Sequence, residues 1–199
     1  MRTLMIRIEF FTGPAIDAHM RNLASLRMAV FRAWPYLYDG SLPSEADTLH
    51  SFSESKTAGI AIAFDGDEPV GASTCVHMPE EDAHITLPFR EAGIDLSTIC
   101  YFGESVLLER YRGHGIGIRF FELREAHARS IPGVTTTAFC AVQRPGEHPL
   151  KPAHAVPLDA FWRNRGYTQT DLTCKMVWKQ IDSADKVENT LRFWTKTVA

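Results

Sequence analysis

No stretch of this 199-residue sequence is long and apolar enough to cross a bilayer. The longest apolar run, Ala58 to Phe64 with Gly59 inside it, is about seven residues, against the roughly 20 that a spanning helix needs. The first ten residues carry Arg7 and Glu9 where a signal peptide would be apolar, so they read as part of the mature chain. Cysteine is scarce. Cys75, Cys100, Cys140 and Cys174 are too far apart to form a zinc ribbon or a CxxC redox pair. Each lies in a strand-like stretch, where a free thiol packs as a small hydrophobe. The compartment therefore reads as reducing and the protein as cytoplasmic. None of the eight histidines has a ligand spacing on one helix, so no metal is expected. A charge excess is missing too. Lys and Arg number 21 against 24 Asp and Glu, a net of −3, which offers nothing to nucleic acid or to an anionic membrane. At 45% hydrophobic and 23% charged, the chain lacks the signature of disorder.

The remaining pattern is that of one mixed α/β domain spanning residues 1–199, with no repeat and no linker. Strands are expected at 4–10, 58–64, 69–78, 98–109, 134–142, 172–180 and 189–197. Asp65-Gly66 marks a hairpin between the second and third. Helices are expected at 15–33, 43–54, 86–92, 116–130 and 158–165, the last closed by Gly166. An aromatic loop, 34–40, follows the first helix, and a proline-rich loop covers 143–157. In 172–180, Cys174, Met176 and Trp178 share one face, while Thr173, Lys175, Val177 and Lys179 share the other.

Chemistry concentrates between residues 98 and 130. RGHGIG at 112–117 lacks the Gly-Lys-Ser/Thr ending of a P-loop. It also lacks the third glycine of a dinucleotide fingerprint, because residue 118 is Ile118. It does place Gly113, Gly115 and Gly117 where a helix begins. Without Cβ atoms an anion can approach the backbone closely, and a helix N-terminus carries roughly half a positive charge with unpaired N–H donors. That is a phosphate or pyrophosphate site, with the Arg112 guanidinium beside it.

The order Arg112-x-x-Gly115-x-Gly117, after a strand and opening a helix, resembles the acyl-CoA signature of the GNAT superfamily of N-acetyltransferases. Phe161-Trp162-x-x-x-Gly166-Tyr167 is similar to that family's aromatic-pair helix, and Phe31 to Tyr38 to its substrate-side loop, so the likeness covers nearly the whole chain. It implies an α/β (α+β) single domain, with a mixed, mostly antiparallel sheet splayed at the CoA strand and helices on both faces. It implies acetyl-CoA as co-substrate and acetyl transfer to a primary amine, small-molecule or peptide, by direct attack. The implied cofactor contacts are Val106, Leu107 and Leu108 on the strand, then Arg112, Gly113, His114, Gly115, Ile116 and Gly117 in the loop. The Leu107 N–H matches the family's acyl-carbonyl contact and would serve as an oxyanion donor.

The implied reaction must deprotonate an ammonium of pKa about 10 and protonate a thiolate. Glu104, on the splayed strand, is a candidate base, or else the partner of a nearby arginine. Tyr101 is a second candidate. For the acid the family usually has a tyrosine where this chain has Trp162, and its asparagine falls on Ala155. Tyr167, Tyr101, Cys140 or water remain open for that role. The same departures leave a non-catalytic acyl-CoA sensor as the alternative function. Trp34, Tyr36 and Tyr38 either line an acceptor pocket or pack on the first helix. Asp65-Gly66-Asp67-Glu68 and Glu80-Glu81-Asp82 either attract a cationic amine or are solvated turns. His77, His148 and His154 read as solvated, Arg110 and Arg124 as surface charges, and Arg119, Glu122, Glu125 and Arg129 as the charged side of their helix. Trp178, Phe193 and Trp194 are core or a dimer surface, so monomer and homodimer both stay open.

Overall fold

The computed structural model describes residues 5–198, without the side chains of residues 47, 48 and 51. Its strands are β1 (Ile6–Thr12), β2 (Gly59–Asp65), β3 (Glu68–His77), β4 (Ile99–Tyr101), β5 (Ser105–Leu107), β6 (Thr136–Val142), β7 (Thr168–Lys179) and β8 (Lys186–Thr197). Its α-helices are α1 (Met20–Phe31), α2 (Leu42–Glu54), α3 (Ala83–Glu91), α4 (Ile116–Ser130) and α5 (Asp159–Arg163). Leu4, at the start of the expected first strand, lies outside the described residues. The expected helix at 15–33 begins instead as a 3-10 segment, Gly13–His19, which leads into α1.

One sheet runs β1-β2-β3-β4-β6-β8-β7, with β5 on β3. All pairings are antiparallel except β4 with β6. The apolar run at 58–64 explains itself here, since every residue of β2 is buried. Helices cover both faces of that strand, so it has no polar side to alternate with. Ile60, Ile62, Ala72 and Val106 pack with Leu23 and Leu26 of α1. Ala61, Ala63 and Val70 pack with Ile116 and Phe120 of α4. The edge strand β7 has one solvated face and keeps the expected alternation. Phe193 and Trp194 are buried core, and Trp178 is half-buried.

The expected strand at 98–109 is two strands separated by a bulge. The Phe102 N–H still bonds the Ala138 carbonyl on β6, at 2.7 Å. Then Gly103 and Glu104 both turn to Thr74. The Gly103 N–H bonds the Thr74 carbonyl at 3.2 Å, the Thr74 N–H bonds the Glu104 carbonyl at 3.0 Å, and the Glu104 N–H bonds Thr74 Oγ1 at 2.8 Å. Two residues opposite one kink the strand. Beyond the kink β5 stays with β3 while β6 continues along β8, so the sheet opens between β5 and β6.

Two charges expected at the surface are buried beneath this opening. Arg124 of α4 is 2% exposed, its guanidinium between the rings of Phe102 and Phe121 at 4.3 and 4.8 Å. It donates to the carbonyls of Phe120 at 3.2 Å and Glu104 at 3.4 Å. Glu125 is buried as well. It accepts from Lys196 Nζ at 2.8 Å and from the Tyr167 hydroxyl at 3.2 Å. Helical periodicity placed Glu125 on the polar side and Arg124 was read as a surface charge, but the splayed sheet draws α4 deep enough to cover both. Arg110 does stay exposed, 3.7 Å from Glu68.

Gly103 has to be a glycine, because a Cβ there would stand 2.8 Å from Thr74 Oγ1, an atom already committed to Glu104. Gly103→Ala is expected to cost about 1–3 kcal/mol, as overpacking does, and urea unfolding measures it. A loss below 0.5 kcal/mol, on the order of a neutral surface change, contradicts the account of the bulge.

Candidate functional site

The cleft has two lips and a floor. The inner lip is β5. The Leu108 N–H bonds the Val70 carbonyl and the Thr74 N–H bonds the Glu104 carbonyl. With the register Ser73 opposite Ser105 and Gly71 opposite Leu107, antiparallel alternation makes Ser105 and Leu107 direct their N–H and C=O groups away from β3, into the opening. The Leu107 carbonyl accepts from Arg112 Nε at 3.3 Å. Its N–H has no partner among the described residues. Val106 is fully buried against α1, and half-buried Leu108 packs against the clusters on both sides, its N–H already bonded to β3.

The cleft runs on into the start of α4. Gly113 and Gly115 have φ of +82° and +79°, and a Cβ on either would meet nothing within 4 Å. Gly115 caps α4 from this left-handed conformation, with no side-chain cap and no acidic residue in the first turn. The first-turn N–H groups are thus left for an anion. His114 is exposed, and Ile116 is buried, anchoring the turn on Tyr111 and Phe120. A Cβ on Gly117 would stand 3.4 Å from Phe161 of α5.

The opposite side of the sheet, under α1, holds a cluster of polar groups. Arg27 of α1 bonds two carboxylates, reaching Glu45 Oε2 through Nε at 2.5 Å and Glu104 Oε1 through Nη1. Glu104 Oε2 accepts from Thr74 Oγ1 at 2.6 Å. Of the two readings open for Glu104, arginine partner is the one the geometry displays. Burial works against the Arg27 charge, but Glu104 and Glu45 outweigh it and leave the guanidinium held more firmly charged than usual. Tyr101 is buried, with its hydroxyl 3.1 Å from Cys140 Sγ on β6. Burial, then Cys140 and Glu81, keep that phenol protonated well above its ordinary range.

Two members of this cluster were missed or left open by the sequence. Glu81 follows the single 3-10 turn after β3, its N–H bonded to the Met78 carbonyl at 3.0 Å. It lies within electrostatic reach of Glu104, Tyr101 and Cys140, and burial followed by the Glu104 charge raises its carboxyl to about 7. In sequence it was one of three acids in a turn, and nothing local distinguished it from Glu80, which instead bonds Ser55 and Thr57. Tyr36 does pack on the first helix, 4.4 Å from the Phe31 ring, but its hydroxyl is also within reach of Cys140 and Glu104. Arg144 and Trp178 hold its carbonyl, each at 3.0 Å.

Other candidates fall elsewhere. Tyr167 is buried on the α4 face, bonded to Thr137 Oγ1 at 2.9 Å and to Glu125. Trp162 packs edge-on against Phe139 and Trp194, each at 5.1 Å. His148 stands 3.7 Å from Asp182 beside Trp34, and His77 bonds the Ser97 carbonyl. Among the described residues, no group of three His, Cys, Asp or Glu is placed to hold a metal ion, and no helix is long and apolar enough to cross a membrane.

The fold as a whole recurs in solved structures. The chain aligns over 96% of its length with 99% of the ribosomal-protein-alanine N-acetyltransferase of Brucella melitensis, at a TM-score of 0.60 and 14% identity. It aligns over 98% with 99% of an acetyltransferase of the GNAT family from Staphylococcus aureus, at a TM-score of 0.55 and 11% identity. The chain has the GNAT fold. NAA60 of Arabidopsis thaliana, solved with a bisubstrate analogue, matches at a TM-score of 0.59 and 11% identity, over 97% of this chain and all of that one. No family model matches the sequence, and no curated protein matches it. The GNAT likeness is therefore carried by backbone geometry and a handful of residues.

Glu45 is wholly buried, so removing its arginine leaves a carboxylate in the core. Arg27→Met is expected to destabilise the protein by about 3–5 kcal/mol, read from urea unfolding. A cost under about 1 kcal/mol, the range of a surface ion pair, would show the pair to be solvated.

Proposed function

We propose that this protein is an acyl-CoA-dependent N-acyltransferase that moves an acetyl group from acetyl-CoA to a primary amine by direct attack. The observation that carries this reading is the divergence of β5 from β6, which ends at an uncapped, glycine-lined helix start. An extended arm with amide groups can pair with the outward N–H and C=O groups of Ser105 and the outward N–H of Leu107, as an added strand does. Val106 and Leu108 hold that strand in place by their packing and, for Leu108, its bond to Val70. A pyrophosphate fits the turn from Gly113 to Gly117, through the N–H groups of His114, Gly115 and Ile116 and the dipole of α4. Arg112 stands at the junction and can neutralise part of that charge.

In this reading the Leu107 N–H faces the thioester carbonyl and stabilises the oxyanion as the amine adds. Tyr101, protonated at neutral pH, supplies the proton to the leaving thiolate. Glu104, with both oxygens engaged, fixes the charge of the acceptor side and does not itself take the ammonium proton. The acceptor is an amine on a small molecule or a peptide. The name of the Brucella neighbour makes a peptide N-terminus one natural member of a test panel. A non-catalytic acyl-CoA sensor is the second reading. It is favoured by Trp162, whose indole is packed between Phe139 and Trp194 and has no proton to give at neutral pH.

Acetyl-CoA is expected to raise the melting temperature, while ATP and NAD leave it unchanged. Release of CoA thiol with a panel of amines separates the enzyme from the sensor. Gly117→Glu puts a negative charge on the first turn and is expected to weaken acetyl-CoA binding at least about tenfold in a protein that melts normally. Unaltered affinity in that variant would mean that the pyrophosphate binds elsewhere.

A further inference from the structure

We infer that Glu81 is the general base that takes the proton from the acceptor ammonium, with Glu104 as the fixed negative charge beside it. The inference rests on the transferase reading above and adds to it the residue that makes the amine nucleophilic.

The first ground is availability. Each oxygen of Glu104 already has a donor, one from Arg27 and one from Thr74. Glu45 is wholly buried behind Arg27. Glu81 has no side-chain hydrogen bond or ion pair among the described residues, and its carboxylate is met only by the backbone N–H of Asp82. It is half-buried, so it is neither sealed in the core nor free in solvent.

The second ground is position. β3 is hydrogen-bonded to β4 at Val76 and Tyr101, and Met78, just after β3, packs in the same cluster as Tyr101 and Ile85. The 3-10 turn folds the chain back over this face. Glu81 thus sits between Met78 and Ile85, which both pack with Tyr101, and its charge acts on the Tyr101 hydroxyl and Cys140 Sγ, themselves 3.1 Å apart. The proposed base and the proposed acid thus face one small region from β3 and β4.

The third ground is proton affinity. The charged groups facing Glu81 are Glu104 from the bulge and its own neighbour Asp82, with Arg27 of α1 committed to Glu104 and Glu45. Tyr101 and Cys140 face it in their neutral forms, because their own proton affinities are raised. Burial and the Glu104 charge therefore act in the same direction and bring Glu81 to about 7. A base works best when its pKa lies near the working pH.

The step balances as follows. The ammonium gives one proton to Glu81, directly or through one water, and Glu81 later passes it to solvent. The neutral amine adds to the thioester carbonyl carbon. The C–N bond forms, the C–S bond breaks, and the thiolate takes a proton from the Tyr101 hydroxyl. Tyr101 regains a proton from the nitrogen, leaving an amide, a free thiol and one proton in solution.

The test follows CoA-thiol release from acetyl-CoA against pH 5.5–9.5 for wild type, Glu81→Gln and Glu104→Gln, with the fastest amine of the panel. Acetyl-CoA binding is followed by melting temperature. Wild type is expected to show a rising limb near pH 7. Glu81→Gln is expected to lose about 100-fold or more in kcat, to lose that limb, and to keep its acetyl-CoA shift. Glu104→Gln removes a negative neighbour and frees the Arg27 charge, so the limb is expected to move to lower pH.

A second readout needs no acceptor. A carboxyl held above its unfolded value binds more protons in the folded state, so the stability that Glu81 contributes is lost as pH rises from about 4.5 to 7. Glu81→Gln escapes that loss and is expected to gain melting temperature relative to wild type across the same window. A Glu81→Gln enzyme that keeps its rate and its limb overturns the inference. So does a wild type that binds acetyl-CoA and acylates no amine of the panel. A wild type that acetyl-CoA does not stabilise overturns the transferase reading itself.

Discussion

Glu104 is held from both faces of the sheet, and the architecture of the cleft depends on that grip. Arg124 reaches its carbonyl from α4, and Arg27 reaches its carboxylate from α1. Thr74 engages its N–H, its carbonyl and one carboxylate oxygen from the neighbouring strand. A bulge alone would be a local irregularity. Fixed by two arginines on opposite faces, it becomes a branch point at which the sheet divides. Burying two guanidinium groups is costly unless each is well partnered, and each is anchored here by aromatic rings or carboxylates.

The same grip sets the electrostatics of the acceptor side. One guanidinium, Arg27, faces the carboxylates of Glu45 and Glu104, with Glu81 beyond. When all three acids are ionised, the cluster carries an excess of negative charge in a partly desolvated setting. Such a place attracts a cation that brings its own proton, and that attraction is lost once the same group is neutral. In the proposed transfer, charge would distinguish acceptor from product without a dedicated contact.

Much of this was legible in the sequence. The order of strands and helices follows from periodicity, and Arg112-x-x-Gly115-x-Gly117 announces the helix start that the structure displays with its two left-handed glycines. The splay was expected, but the contact that pins its bulge was not, because no local signal ties Gly103 to Thr74 some thirty residues away. Glu125 was misread because periodicity describes a helix on a flat sheet, and Arg124 because an arginine reads as a surface charge until two aromatic rings are seen to enclose it. Glu81 was hidden for the opposite reason. Its neighbours in sequence are acids in a turn, and only the fold back over β4 separates it from them. Glu104 was left open between base and arginine partner, and which arginine reaches it appeared only with α1 in place.

The parallel seam between β4 and β6 is short, covering Ile99–Tyr101 against Thr136–Ala138. Past it, the two half-sheets have facing edges and no rungs between them. A ligand lying in that gap and bonding to both edges would replace the missing rungs and stitch the halves into a continuous ladder. The molecule is in this sense a sheet built one strand short, and whatever fills the gap becomes part of its framework. A ligand that bound only this folded, open-sheeted form would stabilise it by mass action.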